Sequence, residues 1–142
     1  MRTMDASLEL RVGGAVVFSS AGRWLHPLFE LAEFLEGDRI DIASAELRDK
    51  VVGRGSAFLI VRLGIRRVHA VMLSRLGNQV LDRAGVEVTW DTLVDRIACA
   101  TEALLEKVVD VDEAYRILSD RRAAALRRAA APEPRTVPGH SR

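Results

Sequence analysis

The segment from residue 68 to residue 90 constrains the fold of this 142-residue chain more than any other. Residues 68–73 form a near-continuous apolar run, which is typical of a strand covered on both faces. A helical apolar stripe ends at Gly85, and residues 86–90 alternate like a second strand. Two strands joined through a helix pair in parallel. The segment therefore predicts an α/β fold with parallel strands.

Residues 8–18 predict an antiparallel hairpin before the parallel strands. Leu8, Leu10 and Val12 alternate with charged residues, which is the period of a half-buried strand. The Gly-Gly pair at 13–14 suits a tight turn that needs positive φ, and apolar residues follow it. A helical stripe then covers residues 25–35, with Pro27 in the first turn and Gly37 as the cap.

The middle of the chain allows two interpretations. Residues 38–50 follow neither period for long enough to assign an element. Residues 57–61 are apolar all round, which fits a buried strand or a buried helix. We predict a helix, because Gly64 closes it at a helical length and a clear strand follows. Further helices are predicted from Asp91 and from Asp110, and Pro132 ends the last one.

Length and composition predict one domain over residues 1–131 and a disordered tail over residues 132–142. No apolar run approaches the roughly 20 residues that span a bilayer, so no membrane partner is expected. The N-terminal residues lack the apolar region of a signal peptide. The single cysteine, Cys99, fits a reducing compartment. We therefore expect the protein to be cytoplasmic.

The net charge of +1 hides a basic C-terminal part. From residue 121 onward the chain has six arginines and one acidic residue, Glu133. Such a tail can contact nucleic acid. The rest of the chain lacks the basic stripe with interleaved aromatic residues that binds single strands. We therefore interpret the tail as a solvated helix end and expect no nucleic-acid partner.

The strongest candidate site lies between residues 49 and 56, where a Gly-X-Gly turn enters the apolar helix. Helix N-termini offer unpaired N–H groups and the positive end of a dipole, so they bind anions. Ser74 begins the next predicted helix at the end of a strand. The predicted ligand-binding residues are Lys50, Gly53, Arg54, Gly55, Ser56 and Ser74.

Several familiar sites are excluded by their residue patterns. The turn is not a P-loop, because the Gly-Lys-Ser/Thr ending is missing. It does not clearly follow a strand, as a dinucleotide fingerprint requires. The histidines at positions 26, 69 and 140 are scattered, and the sequence has no Cys-X-X-Cys or His-Glu-X-X-His. We predict no metal and no cofactor.

Three residues are candidates for metal-free catalysis: Asp49, Cys99 and Glu102. Cys99 and Glu102 are three positions apart, so they share a face if both lie on one helical turn. A thiol at the start of a helix can be activated by the dipole. Against this, a lone cysteine often behaves as a small buried hydrophobic residue, and no histidine has a motif relationship to Cys99.

Three strings carry a resemblance to a known family over roughly residues 6–119. They are Asp-Lys-Val-Val-Gly-Arg at 49–54, Leu-Asp-Arg-Ala-Gly-Val-Glu-Val at 81–88, and Cys-Ala-Thr-Glu at 99–102 followed by Asp-Glu-Ala-Tyr at 112–115. The chain resembles the prokaryotic family called domain of unknown function 1893, whose fold is cytidine-deaminase-like. It departs from the family pattern at Arg54, where Lys is usual, and at Ala100, where Pro is usual.

The resemblance implies a three-layer α/β/α sandwich with a mixed sheet. Zinc-dependent deaminases hold their metal with His or Cys ligands at two helix starts and use a Glu to move protons. The corresponding places here are residues 53–55 and 73–77, which contain no thiol, imidazole or carboxylate. We therefore expect no zinc-dependent deamination.

These observations favour a module that binds a small anionic ligand, such as a nucleotide or a phosphorylated metabolite, at helix N-termini. Two alternatives stay open. One is a metal-independent enzyme that uses Cys99 or Asp49. The other is a structural homodimerisation domain, because small α/β domains often pair through exposed apolar faces.

Overall fold

The computed structural model describes residues 6–130, so the predicted tail at 132–142 lies outside the described residues. The strands are β1 (Leu8–Val12), β2 (Ala15–Ser20), β3 (Ala45–Val52), β4 (Arg67–Ser74) and β5 (Glu87–Val94). The helices are α1 (His26–Gly37), α2 (Arg54–Arg62), α3 (Arg75–Arg83), α4 (Ala100–Leu104) and α5 (Val111–Ala130), with a 3-10 turn at Ile42–Ser44.

The strands form one mixed sheet in the order β2-β1-β3-β4-β5. Strand β1 is antiparallel to both of its neighbours, and β3, β4 and β5 are parallel. The hairpin turn contains Gly13 and Gly14, both at positive φ, as the Gly-Gly pair predicts. The antiparallel hairpin and the parallel final strands are confirmed. Helices flank the sheet, which is consistent with the expected α/β/α class.

Two sequence-based assignments need correction. The segment 38–50, for which the sequence predicts no element, contains most of the central strand β3, which spans Ala45–Val52. Strand β5 continues to Val94, so the prediction of a helix from Asp91 is wrong. Asp91 has the residue type of a helix N-cap, but the two-residue alternation runs on past it. Strand β4 also differs from expectation, because Val71 and Met72 are 39% and 37% exposed. The apolar run is therefore not buried on both faces along its whole length.

Helix α2 lies at the centre of the core. Every residue from Arg54 to Ile60 is buried, which explains why the segment is apolar all round. The helix packs against α1, α3, α4, α5 and strand β3. Gly55 permits this packing, because an added Cβ would lie 3.3 Å from Leu25 Cδ1 and 3.5 Å from Leu118 Cδ2. Of the helices in the described part of the chain, none is long and apolar enough to cross a membrane.

Candidate functional site

A cleft of about 280 Å³ lies where β3 ends and α2 begins. We call it the α2 cleft. Parallel α/β sheets commonly bind ligands in this position, beyond the carboxyl ends of the strands. The lining combines apolar walls with a few polar groups. The residues that line it are Trp24, Leu25, Val51, Gly53, Gly55, Ser56, Ile97, Cys99, Thr101 and Glu102.

Glu102 places a buried carboxylate against the start of α2. Glu102 is only 1% exposed. The Arg54 backbone N–H donates to Oε1 at 2.6 Å, and the Ile97 backbone N–H donates to Oε2 at 3.0 Å. An unpaired N–H group and the helix dipole both favour an anion at this place. The Glu102 carboxylate thus occupies the position at the start of α2 where the sequence predicts an anionic ligand.

Gly53 is required by space rather than by backbone conformation. A Cβ at Gly53 would lie 2.8 Å from Glu102 Oε1 and 3.2 Å from Ile97 Cγ1. On the other side, a Cβ at Gly77 of α3 would lie 2.8 Å from the Gly53 carbonyl oxygen. The Gly53 backbone is therefore held between Glu102 and the first turn of α3, and both glycines allow that close approach.

The Arg54 side chain bonds to the protein itself. Arg54 is only 3% exposed. Its Nε donates to the Leu105 carbonyl at 2.7 Å, and Nη2 donates to the Val108 carbonyl at 2.7 Å. Nη1 donates to the Leu76 carbonyl at 2.9 Å and to the Gln79 amide oxygen at 3.3 Å. The expected ligand contact from Arg54 is therefore replaced by a structural role: the guanidinium joins α2 to α3 and to the segment after α4.

The surroundings of Arg54 shift the pKa of its guanidinium group. Burial lowers the pKa of the guanidinium, and repulsion from Arg83 lowers it further, whereas Glu102 and Glu106 raise it. Arginine stays protonated in proteins despite such shifts. Arg54 therefore supplies a fixed positive charge behind the Glu102 carboxylate.

Ser74 and Lys50 do not line the α2 cleft. Ser74 is fully buried and caps α3, because its Oγ accepts from the Gly77 backbone N–H at 2.9 Å. The predicted N-cap is confirmed, but it leaves Ser74 facing its own helix. Lys50 lies within β3, where its backbone N–H donates to the Ser7 carbonyl at 3.0 Å.

Asp49 lies inside β3, opposite Leu8 and Ala70 in the two neighbouring strands. Burial raises its pKa from 3.8 to about 7, while backbone hydrogen bonds from Val51 and Lys50 act in the opposite direction. Asp49 does not line the α2 cleft. Its position between apolar neighbours makes it a buried titratable group rather than part of the candidate site.

Cys99 lies at the exposed mouth of the cleft and precedes α4. Its sulfur lies 2.9 Å from the Thr101 hydroxyl. Thr101 is buried, and both residues line the cleft together with Glu102. The structure therefore brings two of the three candidate catalytic residues, Cys99 and Glu102, to the same cleft as Gly53, Gly55 and Ser56.

Trp24 forms one wall of the cleft in an unusual backbone conformation. Its φ of 57° is the one positive φ of a non-glycine residue among residues 6–130. A bulky residue in the left-handed region costs about 1–3 kcal/mol, and such strain is concentrated at functional sites. The indole is 40% exposed and meets the His26 ring edge-on at 5.6 Å between centroids.

The family model for a domain of unknown function, DUF1893, matches residues 3–121 of the chain. The chain belongs to the DUF1893 family. The resemblance carried by its three sequence strings is therefore confirmed at the level of the family. The cytidine-deaminase-like character that the resemblance implies stays a prediction.

A solved structure gives the same fold for a related protein. This chain is similar to a crystal structure of a DUF1893 family protein from Thermotoga maritima, with a TM-score of 0.73 and 23% sequence identity. The match covers 82% of this chain and 81% of that chain. At this identity the likeness concerns the fold alone. A search of curated proteins found no match.

Several residues of the α2 cleft were not predicted from the sequence. Trp24 and Leu25 lie before α1, and Val51 is the penultimate residue of β3. Ile97 precedes α4, and Thr101 lies within it. The one local signal was Trp24, an aromatic residue in a loop before a helix. The contact between Glu102 and Arg54 spans 48 positions, so no local pattern predicts it. Among residues 6–130, no group of three His, Cys, Asp or Glu side chains is placed to hold a metal ion.

Proposed function

We propose that this DUF1893 protein binds a small nucleotide-like ligand in the α2 cleft. The observation that supports this most directly is that Trp24 and Glu102 line one cleft at the start of a buried helix. Ligand sites commonly combine apolar walls with a few convergent polar groups. The cleft, at about 280 Å³, lies close to the lower end of the usual range for such sites, roughly 300–1,000 Å³.

The wall residues favour a planar ring. Trp24, Leu25 and Val51 offer apolar surface, and an exposed indole stacks well on another aromatic ring. Glu102 favours N–H groups on that ring. Each carboxylate oxygen receives one backbone N–H, and an ionised carboxylate has about four lone-pair positions in total. An aminated heteroaromatic ring, as in a nucleobase, satisfies both requirements.

The anionic part of such a ligand does not fit the first turn of α2. Glu102 already occupies the Arg54 N–H, and a second negative group there would be repelled. We therefore retain a small anionic ligand as the proposed class, but we place its charged end away from the predicted residues Lys50, Arg54 and Ser74. Gly53, Gly55 and Ser56 stay in the proposed site because they line the cleft.

Binding is favoured over thiol catalysis. The polar neighbour of Cys99 is the Thr101 hydroxyl, whereas a nucleophilic cysteine needs an adjacent base. The two ring nitrogens of His69 face Thr89 Oγ1 at 2.7 Å and Asp91 Oδ1 at 3.2 Å, and His69 does not line the cleft. A metal-independent enzyme thus has less support than a cytoplasmic binding module.

Cys99 itself provides the test, since it is the chain's single cysteine and lines the cleft. The rate of its alkylation by iodoacetamide is measured with adenosine, guanosine, cytidine, uridine and their 5′-monophosphates. We expect at least one of these compounds to slow alkylation in a saturable manner. The same compound should raise the melting temperature by mass action.

The matched control moves the thiol to a distant surface. In a Cys99→Ser/Glu87→Cys variant the thiol lies on β5, at a position whose side chain is 77% exposed in the original chain. Its alkylation should be unaffected by the same compounds. If none of the compounds slows alkylation of Cys99 or raises the melting temperature, the proposed function is wrong.

Homodimerisation is a second proposal. Val51 and Met72 are register partners in β3 and β4, and they are 45% and 37% exposed. Trp90 on β5 is 40% exposed. Apolar side chains grouped on one sheet favour association between copies. Light scattering of the purified protein should then give twice the mass of one chain, and Met72→Lys should reduce it to the mass of one.

A further inference from the structure

A second cavity adjoins Trp24 on the side of α5. It has a volume of about 230 Å³. Its lining is one tryptophan, two arginines and two alanines: Trp24, Arg121, Ala124, Ala125 and Arg128. Trp24 is thus shared, because it also lines the α2 cleft. We call this cavity the arginine cavity.

The two arginines lie on the same face of α5. Arg121 and Arg128 are seven positions apart, which is nearly two full turns. Ala124 and Ala125 lie between them, and their small side chains leave room beside the helix. The buried residues of α5, Ala114 and Leu118, lie earlier in the helix. The last three turns of the helix therefore contain no buried residue.

The charges of these arginines are not compensated within the described residues. Neither Arg121 nor Arg128 has an acidic partner within 4.0 Å among residues 6–130. Their neighbour Arg122 differs, because it lies 3.5 Å from Glu33 and over the Phe29 ring. A guanidinium group presents its N–H donors in a planar fork that matches the oxygens of a phosphate group.

We propose that Arg121 and Arg128 bind the phosphate of the ligand whose ring stacks on Trp24. This inference rests on the proposed function, since it locates the charged end of the same ligand. Trp24 separates a cleft suited to a ring from a cavity suited to a phosphate. The strained backbone of Trp24 holds the indole at that boundary.

Two kinds of ligand could supply this phosphate: a free nucleotide and a nucleic-acid strand. Both present a phosphate next to a planar base. A free nucleotide is favoured because the two arginines and the single stacking residue accommodate one unit. A strand would need a longer basic groove with several aromatic side chains.

The test uses tryptophan fluorescence. The chain has two tryptophans, so Trp90→Phe leaves Trp24 as the single tryptophan, which is excited selectively over the tyrosine. This variant is titrated with each nucleoside, with each nucleoside 5′-monophosphate and with a single-stranded DNA of ten thymidines. We expect quenching of Trp24 and roughly tenfold tighter binding of the monophosphate than of its nucleoside.

The arginine variants are made in the same background. Arg121→Ala/Arg128→Ala should lower the affinity for the monophosphate to that of the nucleoside and leave nucleoside binding unchanged. Arg116→Ala/Arg127→Ala removes the same charge from exposed positions of α5 outside the cavity, and it should retain the tenfold preference. Circular dichroism and urea denaturation check that each variant is folded.

Four outcomes separate the hypotheses. The expected pattern supports the inference. Nucleoside binding without a preference for the monophosphate overturns the inference and leaves the proposed function intact. A preference that survives Arg121→Ala/Arg128→Ala also overturns it. If no nucleoside and no monophosphate binds but the DNA does, both proposals fail and the site is a nucleic-acid surface.

Discussion

The carboxylate of Glu102 accepts a 2.6 Å hydrogen bond from the backbone N–H of Arg54, 48 positions earlier in the chain. The Arg54 side chain in turn bonds to the carbonyls of Leu105 and Val108, just beyond α4. The start of α2 and the segment around α4 are therefore tied together in both directions. The walls of the α2 cleft depend on this reciprocal contact.

The first prediction concerns the charge on Glu102. Glu102→Gln replaces one acceptor oxygen with an NH2 group, which faces a backbone N–H of Arg54 or Ile97 and leaves one donor without a partner. We expect the free energy of unfolding to fall by about 1–3 kcal/mol. Urea denaturation measures the change. Glu106→Gln removes an ion pair with Arg96 at a side chain that is 43% exposed, and it should change the free energy of unfolding by less than about 1 kcal/mol. Equal effects of the two substitutions would contradict the role of Glu102.

Arg54→Ala should destabilise the protein rather than merely weaken a ligand contact. The substitution leaves the carbonyls of Leu76, Leu105 and Val108 without their donor, and hydrogen bonds to charged groups contribute about 1.5–3 kcal/mol each. We expect a loss of about 3 kcal/mol or more in denaturant unfolding. Arg75→Ala, whose side chain is 64% exposed, serves as the control, with a change within about 0.5 kcal/mol. A near-neutral Arg54→Ala would restore the sequence-based interpretation of a ligand donor.

Asp49 should make stability depend on pH. Its pKa is raised from 3.8 to about 7 by burial, so the folded chain holds this proton more tightly than the unfolded chain. The contribution to stability is then fully present below about pH 4 and is lost as the pH rises through about 7. The full difference between the two pKa values corresponds to about 4 kcal/mol.

Asp49→Asn tests this dependence by removing the titration. We expect the variant to lose less stability than the original chain between about pH 4 and pH 8, as measured by urea denaturation. Asp120→Asn, at an exposed position of α5, should leave the profile unchanged. Identical profiles for Asp49→Asn and the original chain would show that Asp49 keeps an ordinary pKa.

The close approach at Gly77 gives a prediction about packing. Gly77→Ala places a Cβ 2.8 Å from the Gly53 carbonyl oxygen and 2.9 Å from its carbon, and both are backbone atoms. The backbone must move, so we expect a loss of about 1–3 kcal/mol. Gly37→Ala is the matched control, because its Cβ would have no atom within 4 Å. That substitution should be neutral or stabilise by up to about 1 kcal/mol. A harmless Gly77→Ala would mean that α3 is free to shift away from Gly53.

Local patterns predicted much of the sheet but not its central strand. The β1–β2 hairpin and the parallel pair β4–β5 follow from alternation and from the intervening helix. Strand β3 was not predicted because Asp49 lies on the same side of the strand as Ala45 and Leu47. The two-residue period requires an apolar residue at that position. The prediction for β5 stopped too early for a different reason. Asp91 continues the polar side of the alternation, but its residue type is also typical of a helix start.

The candidate site was predicted in two unconnected parts. Gly53, Gly55 and Ser56 stood out as a helix start, and Cys99 and Glu102 as a possible pair on another helix. What joins them is the long-range bond from Arg54 to Glu102, and spacing along the sequence carries no signal for it. The sequence also does not reveal that this carboxylate fills the anion position at α2. The same holds for Trp24, because its positive φ depends on how the chain enters α1.

The last prediction concerns Trp24, where a glycine substitution should be more stable than an alanine substitution, the reverse of the usual order. Trp24→Gly and Trp24→Ala both remove the indole and the surface it buries, so the lost burial is similar in the two variants. They differ at φ 57°, which glycine adopts freely and alanine does not. We expect Trp24→Gly to be more stable than Trp24→Ala by about 1–2 kcal/mol in urea denaturation. At Arg23, where φ is not positive, alanine should instead be more stable than glycine by about 0.4–1 kcal/mol. Both Trp24 variants should lose nucleotide binding, because the proposed stacking surface is gone. If alanine is the more stable residue at position 24, the backbone there carries no strain, and a functional reason for the strain disappears with it.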